Sequence, residues 1–236
     1  MSAPVFLTDE LGGDRDGDLV ELTGPEGRHA ATVRRLRVGE AVELSDGRGT
    51  RATCTVREVG RDRLLLEVVR RAAEPLSRPR LVLVQALPKG DRGELAVELA
   101  TEVGVDEVVP WAAARCVVRW EGARGERALE RWRATAREAG KQSRRAWLPV
   151  VAPLHTTRQV AERLRGAYGL VLHEAADARL ADLDLPADGE VVLVVGPEGG
   201  IADDELAALG AQAVRLGPTV LRTSTAGAAA AAVVSA

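Results

Sequence analysis

Aromatic side chains are scarce in this chain of 236 residues, with one Phe, one Tyr and four Trp, so Leu, Val and Ala must supply the core. Cysteine is scarcer still. Cys54 and Cys116 stand far apart with no paired Cys or His spacing, which excludes a disulfide framework and a zinc-finger or redox motif. No stretch approaches the roughly 20 apolar residues a membrane helix needs. The apolar run Ala3 to Leu7 is too short for a secretory signal and is followed by acids. A soluble protein in a reducing cytoplasm is expected, with no membrane and no metal.

An excess of positive charge is also missing, since 32 Lys and Arg face 35 Asp and Glu for a formal net charge of −3. Spread evenly, that balance would speak against a nucleic-acid partner. It is not spread evenly. Between Arg115 and Arg145 ten Lys and Arg stand against four acids, and Arg28, His29, Arg34, Arg35 and Arg37 form an acid-free cluster. Such local basic surfaces can meet phosphates even on an acidic protein, although a solvated helix face has the same composition.

Residues 1 to about 75 have the pattern of short strands broken by turn signals at Asp14 to Asp18, Gly24 to Gly27 and Asp46 to Gly49. Ala41–Leu44, Ala52–Val59 and Leu64–Val69 are candidate strands of a small β-barrel. The two prolines in Glu74 to Pro79 suit an extended linker. From Leu81 onward apolar strands alternate with helical stretches, the signature of an α/β domain with a mainly parallel sheet. The expected strands are Leu81–Ala86, Glu107–Pro110, Leu170–His173, Val191–Val195 and Ala213–Leu216. One expected helix, Gly93–Val103, carries Leu95, Leu99 and Val103 on one face. A second, Glu126–Trp147, aligns Leu129, Trp132, Ala136 and Ala139.

Two loops carry the chemistry. The apolar run Val191 to Val195 leads into Gly196-Pro-Glu-Gly-Gly200, Ile201 and the acids 203 to 205. Ligands of open α/β sheets sit beyond the carboxyl ends of strands, where glycine lets them approach the backbone. The loop has neither the Lys-Ser/Thr of a P-loop nor a dinucleotide fingerprint. Glu198 and the acids at the helix start would repel a phosphate, so a ligand without phosphate is favoured. A tight turn with Asp203 as helix cap is the plainer alternative. The second loop runs from Val214 through Gly217-Pro218 to Arg222-Thr-Ser-Thr-Ala-Gly227. Its hydroxyls Thr223, Ser224 and Thr225 are candidate caps for a terminal helix. Arg222 gains nothing from a helix start and is a site candidate.

Taken together, Gly196 to Gly200, Leu216-Gly217 and Val220 to Gly227 resemble the cofactor motifs of the SPOUT methyltransferases. More narrowly, the chain is similar to the ribosomal small-subunit methyltransferase E family. The likeness continues, in order, through His29 to Gly39, Asp46-Gly47, Leu87 to Pro110, Arg115 to Arg119 and Glu138 to Arg145. It implies a PUA-like RNA-binding barrel over 1–75 and a SPOUT domain over 76–236 whose end threads a trefoil knot. It also implies a homodimer that uses S-adenosylmethionine to methylate N3 of a uridine in the 16S RNA of the small ribosomal subunit.

Position by position, Gly196, Glu198, Gly199, Gly200 and Ile201 correspond to one wall of the cofactor pocket, and Leu216, Gly217, Leu221, Arg222, Thr223 and Ala226 to another. For catalysis, Arg222 or Arg145 is the expected stabiliser of charge on the uracil oxygens and Glu198 the expected proton acceptor. Arg28, His29, Arg34, Arg35, Arg115, Arg119, Lys141 and Arg145 are the candidate RNA contacts. The chain departs from the family pattern at three places. Ser224 stands where an acid is usual, Arg144 replaces a glycine, and Ala113-Ala114 replace Thr-Glu before Arg115. Two rivals remain open, a ribose 2′-O-methyltransferase of the same fold and a non-catalytic RNA-binding module for ribosome assembly. A hydrolase built on Ser224 is disfavoured, because the chain has no G-x-S-x-G elbow.

Overall fold

The computed structural model describes residues 3–11 and 15–236, so the turn expected at Asp14 to Asp18 lies partly outside the described residues. The chain forms two compact units, residues 1–76 with 144–148, and residues 77–143 with 149–236.

In the first unit, period-two alternation builds a five-stranded sheet. Its strands are β1 (Val5–Leu7), β2 (Leu19–Leu22), β3 (Ala41–Ser45), β4 (Thr50–Val59) and β5 (Leu64–Ala73), arranged β1-β3-β4-β5-β2. Ala52, Cys54 and Val56 of β4 and Leu64, Leu66 and Val68 of β5 point into one core, while Thr53, Arg57 and Glu58 face solvent. Register shifts at Thr53/Cys54 and Val56/Glu58 bend these two long strands. Each fully buried Leu or Val there contributes about 1.5–3 kcal/mol.

The expected turn at Gly24 to Gly27 is instead a helical turn, α1 (Gly24–Arg28), which runs into a π-helical turn at His29–Val33. Pro25, with its φ preset, starts the helix. A Cβ on Gly27 would lie 2.4 Å from the Leu22 carbonyl oxygen and 2.7 Å from that of Asp62, so the close approach requires glycine.

Segment 144–148 completes this unit. Arg144 takes a left-handed φ of 58°, a conformation that favours glycine. Its carbonyl accepts from Arg51 Nη1 at 3.2 Å, and its guanidinium stands 3.6 Å from Glu43. Trp147 Nε1 donates to the Glu74 carbonyl at 2.7 Å. Gly49 N–H donates to the Ala146 carbonyl and Leu148 N–H to that of Gly47.

The second unit is the expected α/β architecture with a fully parallel sheet. Its strands β6 (Arg80–Ala86), β7 (Glu107–Trp111), β8 (Val150–Val151), β9 (Tyr168–Leu172), β10 (Glu190–Val195) and β11 (Gln212–Val214) are ordered β11-β9-β10-β6-β7-β8. The helices are α2 (Arg92–Glu102), α3 (Gly122–Gln142), α4 (Thr157–Leu164), α5 (Asp203–Leu209) and α6 (Thr223–Val234). The central strands are buried almost end to end, as expected of a sheet covered on both faces. After β11, at one edge, the chain returns so that α6 packs on β6, β10 and α2, a route that the expected knot requires.

Two helical expectations need correction. α3 stops at Gln142, not Trp147, because the left-handed Arg144 ends it, with Ser143 as C-cap. On α2 the buried face is Gly93, Ala96, Val97, Ala100 and Thr101, whereas Leu95 is 42% exposed. Small residues won that face because α2 packs closely against both α3 and α6. Helix α4 was not expected, although Thr156 and Gln159 form a full capping box.

Candidate functional site

The carboxyl ends of β9 and β10 open into a cavity of about 300 Å³ in the second unit. One side is the glycine turn after β10, contributing Gly196, Pro197, Glu198, Gly200 and Ile201. The other is the loop before α6 with the first turn of that helix, contributing Val220, Leu221, Arg222, Thr223 and Ala226. An adjoining concavity is lined by Leu216 and Gly217 and shares Leu221 and Ala226 with the first. The two expected walls therefore face each other across open space.

Local geometry explains the turn. Gly200 has φ +74° and its N–H closes on the Pro197 carbonyl at 2.9 Å. At Gly196 a Cβ would lie 2.6 Å from Ile201 Cγ1, so the bare backbone lets Ile201 fold over the strand end. Gly199 is not among the lining residues, and its carbonyl instead accepts from Arg115 Nη1 at 3.2 Å. The same nitrogen reaches the Ile201 carbonyl at 3.4 Å. Arg115, expected at RNA, thus holds the glycine turn.

Glu198 is fixed through one oxygen. Its Oε1 accepts from the Lys89 N–H at 3.2 Å and stands 3.7 Å from Arg92 Nη1, while Oε2 has no partner among the described residues. Arg222 is the N-cap of α6, and its exposed guanidinium has no hydrogen bond or ion pair among the described residues. None of the expected caps acts as one. Thr223 and Ser224 are buried, and Thr225 Oγ1 donates to the Arg222 carbonyl. Likewise Ala202, not Asp203, is the N-cap of α5, and Asp203, Asp204 and Glu205 fill its first turn. That turn answers the helix dipole with carboxylates and disfavours phosphate.

Arg92, Leu172, His173 and Glu174 line the cavity without having been expected. The signal for the last three was their place at and just beyond the end of β9. Burial holds the thiol of Cys116 above its ordinary range. Among the described residues no cluster of His, Cys, Asp and Glu suits a metal, and no helix is long and apolar enough to cross a membrane.

The remaining expected RNA contacts are dispersed. Arg28, Arg34 and Arg35 are exposed on the first unit, and His29 packs edge-on against Phe6 at 5.9 Å. Arg145 belongs to the same unit and donates from Nε to the Trp147 carbonyl at 2.9 Å. In the second unit Arg119 is exposed, whereas the Lys141 side chain is only 10% exposed and lies 3.5 Å from Glu138.

A parallel α/β unit with a phosphate-averse glycine cavity, preceded by a small β unit, is the make-up of an RNA methyltransferase. The family model described as "RNA methyltransferase domain" matches residues 75–235, and "RNA methyltransferase PUA domain" matches residues 22–69. The Mycobacterium tuberculosis protein named ribosomal RNA small subunit methyltransferase E is 52% identical over 236 residues, covering 97% of this chain and 89% of that protein. Its Bacillus subtilis namesake is 30% identical over 217 residues, covering 87% and 85%. The crystal structure of the Neisseria gonorrhoeae methyltransferase E bound to S-adenosyl methionine superposes with a TM-score of 0.86 at 30% identity, covering 98% of this chain and 96% of that one. A putative methyltransferase from Legionella pneumophila, also in complex with this cofactor, gives 0.85 at 26% identity over 99% and 97%. The chain belongs to the ribosomal RNA small subunit methyltransferase E family.

Proposed function

We propose that this chain is a cytoplasmic S-adenosylmethionine-dependent enzyme that methylates N3 of a uridine in the 16S RNA of the small ribosomal subunit. The observation that carries the proposal is the cavity between the glycine turn and the loop before α6. Its volume lies at the lower end of the usual range for small-molecule sites. Leu172, Ile201, Leu221 and Ala226 give it apolar surface for an adenine ring, and Gly196 and Gly200 expose backbone. Glu174 and Glu198 offset Arg92 and Arg222 in the lining, and the acids in the first turn of α5 favour a phosphate-free ligand.

S-adenosylmethionine supplies an electrophilic methyl group on its sulfonium. The chain's own residues have two further tasks. The uracil imide must lose its N3 proton, and Glu198 suits this because Oε1 is anchored by Lys89 N–H while Oε2 remains free to accept. Negative charge then spreads onto the uracil oxygens. The unpaired Arg222 guanidinium at the cavity, or the partner subunit's Arg145, stabilises it. Residues 1–75 serve as the RNA-binding module and 76–236 as the methyltransferase domain. The enzyme works as a homodimer, for which exposed Leu95 on α2 and Val233 on the adjacent α6 provide apolar surface.

The test is to incubate the protein with labelled cofactor and unmodified small ribosomal subunits, then to identify the product by nucleoside mass spectrometry. 3-Methyluridine is expected. A 2′-O-methyl product would mean a ribose methyltransferase, and no cofactor binding in calorimetry would mean a non-catalytic assembly factor. Glu198→Gln and Arg145→Ala are each expected to lower methyl transfer by about 100-fold with cofactor affinity retained.

A further inference from the structure

The second unit has another cavity, of about 160 Å³, that shares no lining residue with the cofactor cavity. Trp132 lies at its floor and is 2% exposed. The indole nitrogen of Trp132 stands 2.7 Å from where a Cβ on Gly93 would be, so glycine there leaves the N–H uncovered. That N–H donates to no described group. Trp120 stacks edge-to-face on Trp132, with ring centroids 5.0 Å apart, and fixes its orientation.

The charges around this floor are one-sided. Glu94, the one acid in the lining, is occupied by Arg131 at 2.8 Å. Arg119 and Arg124 are exposed and have no partner among the described residues. Arg124 also sits in the first turn of the 21-residue α3, a turn without an acid that follows Glu121 as N-cap. A cation there opposes the helix dipole unless an anion joins it. The unpartnered groups of Arg119, Arg124 and Trp132 at the cavity are all donors, so a compact, acceptor-rich anion suits it.

We propose that this cavity binds a phosphodiester of the substrate RNA, held by Arg119, Arg124 and the Trp132 indole N–H, at a nucleotide other than the methylated one. The proposal rests on the RNA methyltransferase reading above and adds a defined contact to it. Phosphate contacts set the register of a nucleic acid without reading its sequence, so this one would position the strand for the cofactor cavity.

The test uses the full chain, the Arg119→Ala/Arg124→Ala double variant and, separately, Trp132→Phe, which removes the indole N–H. Binding of a small-subunit RNA fragment is measured over a salt series, alongside steady-state methylation and cofactor calorimetry. The double variant is expected to raise KM for the subunit about tenfold and to flatten the log–log salt slope by roughly 0.7–0.9 for the lost phosphate contact. Cofactor affinity and kcat should stay unchanged, and Trp132→Phe should weaken RNA binding in the same direction. An unchanged KM and salt slope in the double variant overturns the proposal. Competition by millimolar inorganic phosphate as effective as that by an oligoribonucleotide also overturns it, in favour of a free-anion site. An acidic peptide that displaces the RNA fragment at this cavity does so too, in favour of a protein partner. If the wild-type chain binds the RNA but transfers no methyl group, the enzyme reading fails while the salt-slope comparison still decides the cavity.

Discussion

Arg115 Nη1 lies 3.2 Å from the carbonyl oxygen of Gly199 and 3.4 Å from that of Ile201, so one guanidinium ties down both ends of the second half of the glycine turn. The backbone around Arg115 is held in return. Glu205 Oε1 accepts from Ala114 N–H at 3.0 Å and from Thr157 Oγ1 at 2.6 Å, and Trp111 Nε1 donates to the same Thr157 oxygen at 3.1 Å. Strand β7, the segment after it and the start of α5 are thereby fastened to one buried carboxylate.

It follows that Arg115→Ala acts on the cofactor before it acts on RNA. Charge-assisted hydrogen bonds contribute about 1.5–3 kcal/mol, so loosening the turn should weaken S-adenosylmethionine binding by about 10- to 100-fold in calorimetry. Arg115→Lys should recover only part of this, because a point charge cannot reproduce the fork. Cofactor affinity unchanged in Arg115→Ala, with RNA affinity reduced, would return Arg115 to the RNA surface.

At the opposite end of the sheet, Glu107 accepts a bidentate pair from Arg163 at 2.7 and 2.9 Å and a further bond from Arg80 at 2.6 Å. Glu190 joins Arg80 at 2.8 Å and Arg163 at 3.2 Å. Burial works against the Arg163 charge, but hydrogen bonding and pairing with Glu107 and Glu190 outweigh it and hold its proton more tightly than usual. Breaking a fully buried pair costs about 3–5 kcal/mol, and the partial exposure of Arg80 and Arg163 reduces that to about 2–4 kcal/mol for Glu107→Ala in urea unfolding. Methyl transfer by the folded fraction should be unaffected, since the cluster lies at the amino ends of β6, β7 and β10 and the cofactor cavity at the carboxyl ends.

Cys54 provides a pH-dependent check on the first core. Burial pushes its thiol up from 9.0 to about 11, with the Arg71 charge pulling weakly the other way. Below pH 9 both folded and unfolded chains keep the proton. Between about 9 and 11 the unfolded chain loses it first, so stability falls by about 3 kcal/mol across that window and then levels. Cys54→Ala should therefore show a shallower alkaline decline in a pH series of urea melts. Identical slopes in the two proteins would mean that the thiol ionises equally in both states.

Patterns with a single strong period were legible in the sequence. The buried strands around Leu83 and Leu193 and the alternation at Ala52, Cys54 and Val56 reported their elements within a few residues, because burial on both faces or one face writes directly into residue type. The two glycine-bearing loops that line the cavity were legible too as loops, since glycine turns beyond strand ends leave a local signature. What stayed hidden depends on contacts distant in sequence. Nothing near Arg115 says that its partners are carbonyls some 85 residues on. The Leu95 stripe was misleading because α2 buries its small residues against two helices, a choice made by close helix approach and not by hydropathy. Arg144 reads as helix until its left-handed φ ends α3 and sends 144–148 into the first unit.

The basic cluster of the first unit gives the last prediction. Arg28 and Arg34 are exposed and have no ion-pair partner among the described residues, and they flank the π-helical turn at His29–Val33. A solvated face tolerates charge reversal with little effect on any partner, whereas a phosphate-binding face does not. If this turn meets RNA, each phosphate contact removed by Arg28→Glu or Arg34→Glu should reduce the log–log salt slope of binding by roughly 0.7–0.9 and lower affinity at low salt. Cofactor binding should be untouched and kcat at saturating subunit preserved, since neither residue lines the cofactor cavity. Equal salt slopes in the variants and the wild type would assign both arginines to solvent and leave RNA recognition to the second unit.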